Sequence, residues 1–115
     1  MKIDIPIGPL SVNKSFRGRH FKSKEYLQFE RDVCLVLPFS RTASFEGELF
    51  VKYKFYIKNY VNTDEDNCKK LIQDLLVKRG YLRDDRYIKA TYSVKERVLS
   101  TAEERIEVDI QPYQE

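Results

Sequence analysis

Residues 48–58 read ELFVKYKFYIK. Leu49, Val51, Tyr53, Phe55 and Ile57 alternate with Glu48, Lys52, Lys54 and Lys58, and Phe50 and Tyr56 fall among the second set. A period of two puts the first set on one face of a strand and the second on the other. The period then changes. From about Glu65 to Arg79, Cys68, Leu71, Ile72, Leu75 and Leu76 recur at the three-and-four spacing of a helix with one apolar stripe. Lys78 and Arg79 suit the negative end of its dipole, and Gly80 suits the position just past its end. An amphipathic strand followed by an amphipathic helix predicts a sheet covered by helices.

The flanks extend this pattern. Tyr81 to Asp85 reads as a tight connection. Tyr87 to Val98 is a strand with Ile88, Ala90, Tyr92 and Val94 on one face, and Arg105 to Ile110 is another with Ile106, Val108 and Ile110 inward. Toward the N-terminus, residues 39–47 read as loop. Ser23 caps a helix that runs through about Leu37, with Tyr26, Leu27, Phe29, Val33, Val36 and Leu37 as its stripe and Pro38 as its stop. Residues 8–22 read as loop, and Lys2 to Ile7 as a strand ended by Gly8-Pro9. The order β-α-β-α-β-β predicts one two-layer α+β domain with a mixed sheet over residues 1–115.

The chain has 115 residues, 42% hydrophobic and 34% charged, a composition that folds. Its longest strictly apolar run, Val33 to Leu37, is too short to span a bilayer. The opening MKIDIPIG breaks any secretion signal with an acid and a proline. Cys34 and Cys68 fit no zinc spacing, so a reducing, cytoplasmic location is expected. The net charge of +3 is mild, but it is segregated. Residues 13–24, NKSFRGRHFKSK, carry Lys14, Arg17, Arg19, Lys22 and Lys24 and no acid, whereas residues 64–66 read DED and Asp84-Asp85 follow. Segregated charge of this kind points to a partner. A lone His20 without a credible Ser-His-Asp or Cys-His arrangement argues against acyl transfer, and the sequence has no glycine-rich phosphate loop.

The acids are the candidate chemistry. If the chain turns helical near Asp66, Asp64 and Asp66 lie together at a helix N-terminus, with Lys70 one turn on, on the face of Asp66. If the strand after Gly80 returns early to the helix start, Asp84 or Asp85 meets them. Converging carboxylates repel, and a Mg²⁺-class ion with hard oxygen ligands resolves the repulsion. A bland account also stands: acids and Asn67 at a helix start are ordinary caps, and Asp84-Asp85 is ordinary turn chemistry. The basic loop is likewise either a solvated surface or a phosphate contact. Spacing alone leaves both pairs of alternatives open.

Taken together, these residues resemble the RusA-type Holliday junction resolvases, small nucleases often carried by phages and prophages. Their pattern is Asp-x-Asp-Asn followed by Lys, a helix, a Gly-aromatic turn and an Asp pair. Here it reads Asp64-Glu65-Asp66-Asn67-Cys68-Lys69-Lys70, then LIQDLLVKRGYLRDD. The N-terminal strand, Ser11-Val12-Asn13, the basic stretch and the helix with Tyr26 are also similar. The resemblance implies metal binding by Asp64, Asp66 and Asp85, a catalytic Lys70, Mg²⁺ (replaceable by Mn²⁺) and a homodimer that cuts four-way DNA junctions by paired nicks. Asn67 and Asp84 are expected to cap or orient the cluster. Asn13, Lys14, Arg17, Arg19, Lys22, Lys24, Lys52, Lys54 and Lys58 are expected to touch DNA. Two departures stand out. Asn62-Thr63 replace the usual basic residues before the first Asp, and Glu65 replaces an apolar residue. A non-catalytic branched-DNA-binding module and a nuclease without junction preference are the alternatives.

Overall fold

The structure is a computed structural model. It describes residues 1–10, 16–17, 21–38, 47–61 and 63–114, with backbone only at 16–17 and 21–22. The strands are β1 (Lys2–Ile5), β2 (Phe16–Arg17), β3 (Phe21–Lys22), β4 (Leu49–Ile57), β5 (Ile88–Arg97) and β6 (Arg105–Pro112). The helices are α1 (Lys24–Val36) and α2 (Glu65–Lys78), and a 3-10 turn at Asp85–Tyr87 leads into β5. The main sheet has the order β1-β6-β4-β5. It is mixed, as expected: β4 pairs with β5 in parallel and with β6 antiparallel, and β6 pairs antiparallel with β1. The loop expected at 8–22 contains a small antiparallel ribbon, β2 with β3.

Local chemistry sets the helix ends. Ser23 caps α1 and accepts a hydrogen bond from the Tyr26 amide at 3.1 Å. Asp64 caps α2. Gly80 adopts φ +84°, the left-handed conformation that ends a helix cheaply only without a Cβ. The Gly80 amide then donates to the Val77 carbonyl and the Tyr81 amide to the Leu76 carbonyl. Arg79 ties the two helices together, donating from Nε to the Leu37 carbonyl at 2.8 Å and from a terminal nitrogen to the Cys34 carbonyl at 3.2 Å.

One core joins both helices to one face of the sheet. Tyr26, Phe29 and Val33 of α1 and Leu71, Ile72, Leu75 and Leu76 of α2 pack with Val51, Tyr53 and Phe55 of β4 and with Ile106, Val108 and Ile110 of β6. Among the described residues, no helix is long and apolar enough to cross a membrane.

The other face of the sheet is open, and β5 presents itself there in an unexpected way. The register shifts between Leu49 and Phe50, so that Leu49 pairs with Ile88 but Phe50 pairs with Ala90. Ile88 therefore faces the core. Ala90, Tyr92 and Val94 share the open face with Phe50, Lys52 and Lys54, and Tyr92 is 57% exposed. The residues on the helix side of β5 are polar: Thr91, Ser93 and Lys95.

Candidate active site

The β4–α2 connection delivers the first two acids. Asp64 has an extended backbone and its Oδ1 accepts the Asp66 amide at 2.9 Å, which satisfies one of the free amides of the first helical turn. Asp64 and Asp66 therefore lie side by side at the positive end of α2, where carboxylates are favoured. Both are exposed, the Asp66 side chain by 71%. Lys69 stands 3.8 Å from Asp66 and donates to Thr91 Oγ1 of β5 at 3.2 Å. Lys70, one turn beyond Asp66, is exposed, as is Asp66. Asn67 is half-buried at the third helical position, and the cap itself is Asp64.

The connection before Asp64 is braced from β5. Lys95 Nζ donates to the Tyr60 carbonyl at 2.8 Å and to the Thr63 carbonyl at 2.9 Å, and lies 4.5 Å from the centre of the Tyr60 ring. Thr63 Oγ1 donates back to the Asn59 carbonyl at 2.8 Å. Behind this end of α2, burial pushes the Cys68 thiol up to about 12; the charges of Asp64 and Glu65 add to the rise and that of Lys95 opposes it.

The second acidic pair is elsewhere. Asp84 caps the 3-10 turn, accepting the Arg86 amide at 3.1 Å, and its carboxylate lies 3.5 Å from Arg86 Nε. The Arg86 amide and then the bond to Asp85 hold Asp84 below the usual carboxylate range. Arg83 and Arg86 lie 3.8 and 5.3 Å from the Tyr87 ring centre and surround this turn with cations. Asp85 is exposed, and its charge reaches Asp74. The Asp74 carboxyl is raised by burial first and by the Asp85 charge second, against Lys78.

One chain therefore does not bring Asp64, Asp66 and Asp85 together. Asp85 leads into Ile88, opposite the first residue of β4, whereas Lys95, near the far end of β5, holds the connection to Asp64. Ile88 and Lys95 are about 23 Å apart at the rise of a strand. Asp74 is about 12 Å along the helix axis from Asp66. Among the described residues, no three His, Cys, Asp or Glu side chains are close enough to hold a metal ion. The early return of the chain after Gly80 does not occur, because β5 runs parallel to β4 and must start at the sheet end that α2 has just reached.

The expected DNA-contact residues are dispersed. Asn13, Lys14 and Arg19 lie outside the described residues, as do the side chains of Arg17 and Lys22. Lys24 is exposed at the start of α1. Lys58 is exposed at the Asp64 end of the sheet, and its amide donates to Glu104 at 3.1 Å. Lys52 and Lys54 are on the open face, in register with Asp109 and Glu107 of β6. There Lys2, Lys52, Lys54 and Arg105 are matched by Asp4, Glu96, Glu107 and Asp109, so among the described residues the face has no basic stripe. The sequence reading passed over Lys69, Lys95, Arg83 and Arg86. Lysines and arginines among polar neighbours read as solvated; the placement of β5 brings Lys69 and Lys95 to their partners, whereas Arg83 and Arg86 meet Tyr87 within the turn.

The family model of Endodeoxyribonuclease RusA matches residues 8–111. The chain belongs to the RusA family. The family is one of endodeoxyribonucleases, which supports nuclease chemistry for this chain. A search of the curated proteins gives no match. In this RusA-family chain the Asp-x-Asp-Asn motif is the capped start of α2, and the Asp pair is the 3-10 turn before β5.

Proposed function

We propose that the protein resolves four-way DNA junctions as a Mg²⁺-dependent homodimer. In this reading the ion is held by Asp64 and Asp66 of one chain and Asp85 of the partner subunit. The observation that carries it is the pair Asp64–Asp66, exposed at the head of α2 with Lys69 and Lys70 beside it. Two carboxylates form an incomplete hard-oxygen set, and the third lies at the other end of the same β4–α2–β5 unit. β5 is an edge strand. A second copy aligned antiparallel along that edge, related by a two-fold axis, would carry its Asp85 end toward the first copy's Asp64 end. Two equivalent sites would result, matching a junction that needs two opposed nicks.

A divalent ion bound there would supply an activated water and offset phosphate charge. The chain's own residues do the rest. Asp64 and Asp66 orient the ion. Lys69, tethered to Thr91, offsets charge on Asp66 and links it to β5. Lys70, free to reach outward, meets the scissile phosphate and stabilises charge that develops on it. The basic stretch 14–24 and Lys58 track phosphates without reading bases.

The test is a labelled synthetic four-way junction, with and without Mg²⁺ or Mn²⁺, and with linear duplex as competitor. Paired nicks that need the ion and survive the competitor are expected. Equal cutting of linear duplex would mean a nuclease without junction preference. Binding with no cutting under any divalent ion would mean a non-catalytic binding module.

A further inference from the structure

Lys95 stands out because its ammonium is spent on backbone. It projects from the helix side of β5, is half-buried, and donates to two carbonyls of the segment that precedes Asp64. The Tyr60 ring covers it at 4.5 Å, and Arg97 lies 5.2 Å from the same ring. Thr63 adds a third inward bond to the Asn59 carbonyl. The turn from β4 into α2 thus has three carbonyls satisfied from within, two of them by one side chain of a different strand. Among the described residues, Lys95 and the Arg97 contact with the Tyr60 ring are what tie Tyr60 and Thr63 to the sheet.

We infer that Lys95 is a positioning residue: by clamping the Tyr60 and Thr63 carbonyls it fixes the direction from which Asp64 presents its carboxylate to a divalent ion. The inference rests on reading Asp64 as an ion ligand. Groups behind a ligand typically alter metal affinity by about tenfold to a hundredfold. A second effect opposes the first. A fixed positive charge near the site repels a cation, so removing it favours the ion. The two effects differ in sign, and that sign decides the matter.

The experiment titrates Mn²⁺ into ¹⁵N-labelled protein and follows paramagnetic broadening of the amides of residues 64–70, which needs no DNA and no cleavage. The wild type, Lys95→Met and Lys95→Arg are compared well below their melting temperatures. Lys95→Met should shift the half-broadening concentration upward by about tenfold. Lys95→Arg, which keeps both the charge and donors for two carbonyls, should recover most of that shift. An unchanged or lower midpoint in a folded Lys95→Met protein overturns the inference, because charge alone then accounts for Lys95. A Lys95→Met protein that does not fold also overturns it, since Lys95 would then serve the fold as a whole. A wild type whose 64–70 amides ignore Mn²⁺ defeats the ion-ligand reading of Asp64 itself.

Discussion

Mixing two dead variants tests the shared site directly. Take Asp66→Asn and Asp85→Asn, each expected to be inactive alone. In a mixed pair, one site combines the altered residue 66 of the first chain with the altered residue 85 of the second. The other combines intact Asp64 and Asp66 of the second chain with intact Asp85 of the first. Random pairing of equal amounts makes about half of the dimers mixed, each with one intact site of two. The mixture should therefore hold about one quarter of the wild-type sites and nick a labelled junction at about one quarter of the wild-type rate. Because a mixed pair has one working site, the product should be nicked junction on a denaturing gel, with few paired cuts. A site contained within one chain predicts no recovery at all, since every chain in the mixture carries a defect. Subunits co-refolded together and shown by mass spectrometry to form mixed pairs, yet inactive, would refute the two-chain arrangement.

Charge and burial give further predictions. Neutralising Arg17, Arg19 or Lys22 should each flatten the log–log salt dependence of junction binding by about one unit, whereas Lys52→Gln and Lys54→Gln, each facing an acid in register, should change it much less; equal slopes across the five variants would count against this division. At pH 8, iodoacetamide should modify Cys34 and spare Cys68. The reactive form is the thiolate, and a thiol 2% exposed and pushed up to about 12 stays protonated there. Cys68 should label only on unfolding, and peptide mass spectrometry reads both sites.

Much of the fold was legible because β4 and α2 obey clean periods. Five alternating apolar residues and five at helical spacing both proved to line one core. β5 was legible as a strand but not as to its face. Its apolar alternation, Ala90, Tyr92 and Val94, points away from the core, because the register shift at Leu49/Phe50 leaves Lys89 opposite no residue of β4. Thr91 and Lys95 take the helix side because their neighbours there are polar: Lys69 and the carbonyls of residues 60 and 63. The first two acids were legible because an N-cap and a motif coincide at Asp64. The position of Asp85 was not. It depends on β5 running parallel to β4, and strand direction leaves no mark on local sequence.

Asp64 serves the helix and the proposed chemistry with the same carboxylate, and this shapes what mutation can do to the gene. Asparagine caps a helix about as well as aspartate, so Asp64→Asn should keep the Asp66 amide satisfied while removing the negative charge that an ion needs. Asp64→Ala would lose both. Asparagine codons differ from aspartate codons at one base, so the route to an inactive but well-folded chain is a single step. In the proposed homodimer such a chain would still pair with intact copies and disable a share of their sites. In a cell carrying both alleles the fault would behave as dominant, and its severity would follow the ratio of the two products.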